Sequence, residues 1–268
     1  MQRAALSTIE LAYLDRGVGT PMVLVHGFPL DHSMWAAQID AMAKSCRVIA
    51  PDLRGFGQSP LGNADPQRCI SMEQYADELE QLLIVLSIRE PLILVGFSMG
   101  GYIAWQFMRK YATRVRALVQ CDTKAAADTE EARTGRLKMA EKVAEWGSAR
   151  VAEMMGPKLF AARTFETKPD VVAAVRRIVE HTSPAAIAAA QRGMAARPDM
   201  TSFLPLIKAP TLVLVGAEDA ISPSQEMRAI AAAIPNAEYA EVPDAGHMTT
   251  MENPGAVSAA ITEFMRSL

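Results

Sequence analysis

One serine in this sequence stands where its hydroxyl could act as a nucleophile. Ser98 is the centre of Gly-Phe-Ser-Met-Gly (residues 96–100), which follows the apolar run 91–95 and precedes residues 101–109, where apolar residues recur at helical spacing. This pattern predicts a strand, a tight turn and a helix, with glycines that relieve the crowding of the turn. The N-terminal N–H groups of the helix would suit an oxyanion. The alternative is a Gly-rich turn with a capping serine, and the flanking strand and helix favour a nucleophile.

A nucleophilic serine needs a base, and His247 is the best placed histidine. The imidazole must take the hydroxyl proton, and a carboxylate must hold that imidazole in the right tautomer. Among the four histidines, His247 alone lies in a loop of small residues after the last predicted strand, and Asp219 lies in the loop after the preceding strand. Two alternatives stay open: Asp219 could cap a helix near Ser222, and the adjacent Glu218 could be the acid instead.

Alternating strands and helices are predicted to position these residues. A hairpin within residues 5–14 opens the chain, and an amphipathic helix runs from Ser71 to about Leu86. Short apolar runs predict strands at residues 22–25, 46–50, 91–95, 115–121, 209–215 and 237–242. This alternation is typical of an α/β protein with a mostly parallel, doubly wound sheet and helices on both faces.

The alternation stops between residues 123 and 205. Amphipathic spacing there predicts four helices, at residues 130–143, 148–159, 170–180 and 184–194. We expect this helical insertion to form a lid over a core made of residues 1–122 and 206–268.

Three residues of the insertion are candidates for the substrate pocket: Trp146, Met154 and Met155. Thioethers adapt to irregular apolar surfaces, so methionines here could line a pocket or could fill the space between short helices. Trp146 could line the entrance or anchor the lid. Both interpretations stay open for all three side chains.

The composition describes an ordinary globular chain. It has 268 residues, of which 50% are hydrophobic and 21% charged, and a formal net charge of −3. This charge gives no reason to expect nucleic acid or an anionic membrane as a partner. No apolar run approaches the ~18 residues that span a bilayer, and Glu10 precedes any stretch of signal-peptide length. We expect a cytoplasmic protein, and the sequence leaves a homo-oligomer open.

The cysteines give no sign of a disulfide framework or a metal site. Cys46, Cys69 and Cys121 are odd in number and widely spaced. We expect all three to be reduced core residues, and we expect neither metal nor cofactor.

Several other polar residues are interpreted as structural. In the Gly-rich loop 51–59, Asp52 and Arg54 are expected to form a buried ion pair that braces the loop. His32 and His181 show no partner pattern, so we expect them at the surface.

Over almost its whole length the chain resembles the α/β-hydrolase fold family. Ser98, Asp219 and His247 follow the chain order of nucleophile, acid and histidine in that family. The resemblance favours Asp219 over Glu218, because the family carries its carboxylate at the matching position. Asp122, which follows the strand after the Ser98 turn, is the reserve acid, because some members place theirs there.

The resemblance also implies an oxyanion hole built from backbone amides. The N–H groups of Phe28 and Met99 would form it, and amides suit this role because they need no change of protonation. His26 matches the His-Gly of the family's oxyanion loop, where the histidine is structural.

The motifs around these residues look like those of small esterases, cofactor-free haloperoxidases (perhydrolases) and enol-lactonases. Phe28 stands where the haloperoxidases have tryptophan, although Pro29 agrees with them. The resemblance implies a serine hydrolase of small carboxylic esters or lactones. The alternatives are a perhydrolase using the same three residues and a non-catalytic receptor on the same fold. Turnover of a short-chain aryl ester would discriminate the receptor from the enzymes.

Overall fold

An eight-stranded sheet forms the centre of the molecule. The computed structural model describes residues 1–62, 65 and 67–268. The strands are β1 (Gln2–Ala5), β2 (Glu10–Arg16), β3 (Thr20–Val25), β4 (Cys46–Pro51), β5 (Leu92–Phe97), β6 (Val115–Cys121), β7 (Thr211–Gly216) and β8 (Ala237–Val242). Their order across the sheet is β1-β2-β4-β3-β5-β6-β7-β8. The β1–β2 and β2–β4 pairs are antiparallel and the rest are parallel. The predicted sheet is confirmed.

Helices cover the sheet. They are α1 (Ala36–Met42), α2 (Met72–Val85), α3 (Met99–Tyr111), α4 (Glu130–Leu159), α5 (Thr164–Thr167), α6 (Pro169–His181), α7 (Pro184–Ala195), α8 (Ser224–Ala233), α9 (Thr249–Glu252) and α10 (Pro254–Arg266). From β3 the chain moves outward to β4 and then returns across β3 to β5. Because crossovers are right-handed, this reversal places α1 and α2 on opposite faces. α3 packs against α2, and α10 packs against α1.

Burial on both faces explains why the central strands read as continuous apolar runs. Every residue of β5 and of β7 is buried. The parallel strands all end at one edge of the sheet, and the loops that follow β5, β7 and β8 meet there. No helix among residues 1–62, 65 and 67–268 has the length and apolar character needed to cross a membrane.

The insertion consists of α4 to α7, between β6 and β7. Gly147 interrupts α4 with φ 73° and ψ 163°, so two helical pieces meet where two helices were predicted. α4 packs against both α6 and α7. The predicted boundaries, residues 123 and 205, lie in the connections that flank these four helices. Its role as a lid stays a prediction.

The predicted ion pair between Asp52 and Arg54 was wrong. Both side chains are buried, but Arg54 pairs with Glu78 of α2 at 2.7 Å. Asp52 accepts hydrogen bonds from the backbone N–H of Gln58 and from both the N–H and Nδ1 of His32. The two residues therefore brace the loop through different partners.

Two further predictions need correction: His32 was expected at the surface without a partner, and Cys69 in the core. His32 is not without a partner, because its ring lies 2.7 Å from a carboxylate oxygen of Asp52. Burial lowers the pKa of His32, and the bond to Asp52 outweighs that effect, so its pKa lies above the usual value. Cys69 is exposed, whereas Cys46 and Cys121 are buried, and all three are free.

Candidate active site

The turn between β5 and α3 holds Ser98 in an unusual backbone conformation. Its φ is 51° and its ψ is −112°, a region that non-glycine residues rarely occupy. A Cβ on Gly96 would lie 2.6 Å from the carbonyl oxygen of Gly100, and one on Gly100 would lie 2.2 Å from that of Val25. Only glycine fits either position, so the spacing of the two glycines follows from the sharpness of this turn.

Hydrogen bonds to the end of β6 fix the same turn. The backbone N–H of Ser98 donates to the carbonyl oxygen of Cys121 at 2.9 Å, and the hydroxyl of Thr123 donates to the carbonyl oxygen of Ser98 at 2.8 Å. A Cβ on Gly101 would lie 2.3 Å from that Thr123 hydroxyl oxygen. The third glycine thus lets the loop after β6 approach α3.

Three side chains from separate loops form one hydrogen-bonded chain. Nε2 of His247 lies 3.0 Å from Oγ of Ser98, and Nδ1 lies 2.8 Å from Oδ2 of Asp219. The other carboxylate oxygen of Asp219 accepts from the backbone N–H groups of Ile221 and Ser222, at 2.7 and 3.0 Å. Asp219 and His247 are both buried, and Ser98 is half-buried.

Asp219 is held in its ionised form. Burial would raise its pKa, but the neighbouring His247 and the two amide donors outweigh burial and hold the pKa of this carboxyl below its usual value. An ionised carboxylate accepts a hydrogen bond from Nδ1–H of His247. Nε2 of the same ring is then the acceptor for the hydroxyl of Ser98.

A second carboxyl group, Asp122, lies next to this chain. Its oxygens accept from the backbone N–H of Gly216 at 2.9 Å and contact the hydroxyl of Thr249 at 2.5 Å. Burial, and then the charge of Asp219, raise the pKa of Asp122 well above its usual value. The nearness of the two carboxyl groups therefore disfavours the state in which both are ionised.

Glu218, the other alternative for the acid, does not contact the imidazole. Its side chain is exposed on the loop after β7, whereas Asp219 turns inward. The structure thus separates these adjacent acids by burial, which the sequence alone left open.

The two backbone N–H groups predicted to form an oxyanion hole belong to Met99 and Phe28. Met99 is the first residue of α3, so its N–H has no acceptor within the helix. Within the described part of the chain, neither this N–H nor that of Phe28 donates to another group. Phe28 is buried in the loop after β3 and packs edge-on against Phe56. Their joint role stays a prediction.

His26 holds the loop that carries Phe28. Its Nε2 accepts from the backbone N–H of Leu53 at 3.0 Å, and its Nδ1 lies 2.9 Å from the carbonyl oxygen of Gly27. Burial lowers the pKa of His26, so the ring is neutral and both nitrogens are used in structural bonds.

The three pocket candidates of the insertion differ in exposure. Trp146 is half-buried beside the kink at Gly147. Met155 is partly buried against the core, whereas 42% of Met154 is exposed. The pocket role of these three side chains stays a prediction.

Within the described residues, two groups of side chains have the spacing to hold a metal ion. They are Asp31, His32 and Asp52, and Asp122, Asp219 and His247; in each group the ligand atoms lie within 4.8 Å of one another. The imidazoles of both groups already bond to carboxylates, at 2.7 and 2.8 Å. The expectation that the chain needs no metal stays a prediction.

Comparison with known protein families identifies the fold. Residues 20–254 match the sequence profile of the family described as the alpha/beta hydrolase fold. The chain belongs to the α/β-hydrolase fold family. The mostly parallel sheet, the Ser98 turn and the loops after β7 and β8 are the features that the family resemblance implied.

Solved structures and curated relatives place the hydrolase among three kinds of enzyme. A thermophilic esterase from Thermogutta terrifontis is 44% identical, with a TM-score of 0.96, and the match covers 100% of this chain and 99% of that one. The enol-lactonase from Burkholderia xenovorans LB400 is 29% identical, with a TM-score of 0.90 and 99% and 100% coverage. A putative non-heme bromoperoxidase, BpoC, from Mycobacterium tuberculosis is 30% identical over 97% of this chain and 99% of that protein. The predicted branch is confirmed.

The sequence did not predict two side chains near His247. Thr249 contacts Asp122, and Glu252 is buried with its carboxylate against backbone N–H groups. The sequence held one signal that Glu252 is buried. It is an acid that directly follows the uncharged, partly apolar run Met-Thr-Thr-Met at residues 248–251.

Proposed function

We propose that this hydrolase cleaves carboxylic esters or lactones through an acyl-enzyme on Ser98. The observation that carries the proposal is the chain of contacts from Asp219 through His247 to Ser98, at 2.8 and 3.0 Å. The substrate class is supported by the similar esterase and enol-lactonase, which match this chain over nearly its whole length.

In the first half of the reaction, Ser98 attacks the carbonyl carbon. Oγ forms the new C–O bond while Nε2 of His247 takes the hydroxyl proton, and the carbonyl π electrons move to the oxygen. The N–H groups of Phe28 and Met99 would donate to that oxyanion. The tetrahedral intermediate collapses, the proton on Nε2 passes to the leaving alcohol oxygen, and the acyl-enzyme remains. With a lactone, the alcohol stays attached to the acyl group.

In the second half, water replaces the alcohol. Nε2 of His247 removes a proton from water as its oxygen attacks the acyl carbon, and collapse of the second intermediate breaks the bond to Oγ of Ser98. The proton returns to Oγ and the carboxylic acid leaves. Asp219 stays ionised throughout and stabilises the imidazolium formed in each half.

Covalent labelling tests the nucleophile. A fluorescent alkyl phosphonate should label the wild type on Ser98 and should not label Ser98→Ala, with peptide mass mapping as the readout. Ser98→Ala should also lower kcat for p-nitrophenyl acetate by about 10⁴-fold or more while the far-UV spectrum stays unchanged. Labelling that persists in Ser98→Ala would disprove the acyl-enzyme.

A panel of esters and lactones tests the substrate class. Matched acyl chains as p-nitrophenyl esters and as lactones should show turnover in at least one series. No turnover of either series by folded protein would favour the non-catalytic receptor.

The bromoperoxidase relative supports a second reaction at the same site. Hydrogen peroxide would replace water in the second half, so that the acyl-enzyme releases a peracid. Phe28 stands where tryptophan is typical of that group, and we therefore rank hydrolysis first. The balance between peracid formation and hydrolysis is measured by comparing two rates for the same preparation. These are the peroxide-dependent bromination of monochlorodimedone in acetate buffer and the turnover of an ester.

A further inference from the structure

Glu252 is a buried acid at the end of α9, five residues beyond His247. Only 1% of it is exposed. Its Oε1 accepts from the backbone N–H of Gly246 at 2.9 Å. Its Oε2 accepts from the backbone N–H of Ala161 at 2.9 Å and from the hydroxyl of Thr164 at 2.5 Å. All three partners are donors, so the geometry matches a carboxylate, which offers acceptors only.

The two carboxylate oxygens bond to two different parts of the chain. One holds the histidine loop, residues 243–248. The other holds the insertion base, residues 159–164, which connects α4 to α5. One backbone hydrogen bond joins the same two segments: Met248 N–H donates to the carbonyl oxygen of Leu159 at 2.9 Å. Beside them, Nζ of Lys168 donates to the carbonyl oxygen of Glu252.

Close packing at Gly246 shows how little room the histidine loop has. A Cβ on Gly246 would lie 2.4 Å from the backbone nitrogen of Ala161. On the other side, a Cβ on Gly216 would lie 2.0 Å from the carbonyl oxygen of Gly246. Gly246 is therefore enclosed between the end of β7 and the insertion base. A shift of residues 159–164 would move Gly246.

The carboxylate of Glu252 is held by hydrogen-bond donors. Within the part of the chain that the structure describes, it forms no ion pair. Burial raises its pKa, and the donors from Thr164, Ala161 and Gly246 act against that effect. A buried acid without a cation is costly. Its hydrogen bonds to the histidine loop and to the insertion base indicate that Glu252 connects these two segments.

We propose that Glu252 is a positioning residue that couples the placement of His247 to the insertion base. The inference rests on the proposed hydrolase function, since His247 is the general base in it. Through Gly246, the carboxylate fixes the height of the imidazole above Ser98, and through Ala161 and Thr164 it ties that height to the helical insertion. Movement of the helical insertion would then change the position of His247, the general base of the proposed reaction.

Hydrogen–deuterium exchange tests the coupling without using activity. Glu252→Gln places an amide NH₂ against donors, so exchange should rise in peptides covering both the histidine loop and the insertion base. Thr164→Val removes a bond on the insertion side alone, yet exchange should also rise in the histidine loop. Glu263→Gln, an exposed acid on α10 paired with Arg266, is the matched control and should change neither peptide. Exchange that rises only around residue 164 in Thr164→Val would overturn the coupling.

Kinetics test whether the coupling positions the base. Rates are normalised to phosphonate-reactive sites and measured well below the Tm of each variant, so loss of folded protein does not count. Glu252→Gln should lower kcat by up to about 10²-fold with little change in KM, because misplacement of a catalytic group costs rate more than binding. Thr164→Val, which keeps the bond to Gly246, should show a smaller fall in kcat.

The outcomes separate the two proposals. Unchanged kcat per reactive site in Glu252→Gln overturns the positioning role while ester hydrolysis stands. If the wild type turns over no ester, the hydrolase proposal fails, and the exchange result still decides the coupling. If Glu252→Gln does not fold, Thr164→Val alone decides both readouts: unchanged kcat and unchanged exchange in the histidine loop would overturn the proposal.

Discussion

Ser98 combines a strained backbone with bonds that hold it there. Sparsely populated conformations such as φ 51°, ψ −112° cost about 1–3 kcal/mol and persist where the surroundings determine them. Here the bonds to Cys121 and from Thr123 supply that determination. In the proposed mechanism, this placement of the hydroxyl before substrate arrives lowers the reorganisation that attack requires.

The acid of the site can be identified by a matched pair of substitutions. Asp219→Asn keeps the shape but allows the amide to donate to Nδ1, which favours the wrong tautomer of His247. We expect kcat/KM for p-nitrophenyl acetate to fall by about 10⁴-fold. Glu218→Gln, the exposed neighbour, should leave kcat/KM unchanged.

The opposite result has a defined meaning. Activity of Asp219→Asn close to the wild type would contradict the assignment and would indicate Asp122, whose carboxyl lies within 4.8 Å of the imidazole and of Asp219. Asp122→Asn combined with Asp219→Asn would then remove the remaining activity.

At the scale of elements, the positions of individual strands and helices could be predicted from local sequence patterns. The strands β5 and β6 and the helix α2, with Ser71 as its cap, lie within one or two residues of their predicted positions. These elements follow from apolar periodicity and from capping, which are properties of neighbouring residues. The family resemblance predicted which residues meet, and the structure brings Ser98, Asp219 and His247 into contact; their roles stay predictions.

Partners distant in sequence could not be predicted in the same way. Arg54 is two residues from Asp52 and yet bonds to Glu78, because the loop turns it toward α2. Glu252 and Thr164 are 88 residues apart and share a hydrogen bond. Such pairs depend on how distant segments pack against one another in the folded chain, which no single segment encodes.

The insertion can be tested as a specificity element. Trp146→Ala and Met155→Ala enlarge the space beneath half-buried side chains, so preference among ester chain lengths should shift toward longer acyl groups, each methylene counting for about 1–3 kcal/mol. Met154→Ala should shift the preference least, because Met154 is the most exposed of the three. kcat/KM for acetate to octanoate p-nitrophenyl esters is the measurement.

Acetate turnover should stay close to the wild type in all three variants, since the shortest acyl group reaches the insertion least. Equal loss on every ester would show that these side chains serve packing. An unchanged chain-length profile in both Trp146→Ala and Met155→Ala would also contradict the proposed lid.

At the scale of the whole molecule, buried carboxyl groups lie along one edge of the sheet. Asp52, Asp122 and Asp219 follow β4, β6 and β7, and Glu252 lies close to the loop after β8. Parallel strands bring these positions together because their carboxyl ends share an edge. Because these carboxyl groups have shifted pKa values, the stability of the fold should depend on pH, and the individual contributions should change in opposite directions.

Asp122 and Asp52 should contribute to that dependence in opposite directions. Burial and the charge of Asp219 raise the pKa of Asp122, so its stabilising contribution is present below the pKa of an unfolded carboxyl, about 3.9, and is lost as pH rises toward the folded value. Burial alone would raise the pKa of Asp52, but its bonds to His32 and Gln58 lower it. The contribution of Asp52 is therefore present above the unfolded pKa and is lost as pH falls.

Asp122→Asn should become more stable relative to the wild type as pH rises. The asparagine keeps an acceptor for the Gly216 N–H, and its NH₂ faces the Thr249 hydroxyl, whose oxygen can accept. It has no proton to lose, so the Tm difference should grow in its favour between pH ~5 and ~8. Asp52→Asn is the control of opposite sign: it should be less stable than the wild type at neutral pH, and the deficit should shrink as pH falls below ~4. Calorimetry at a series of pH values measures both. A Tm difference for Asp122→Asn that stays constant across this range would mean that Asp122 is ionised in the folded protein, and the site would then hold two negative charges beside His247.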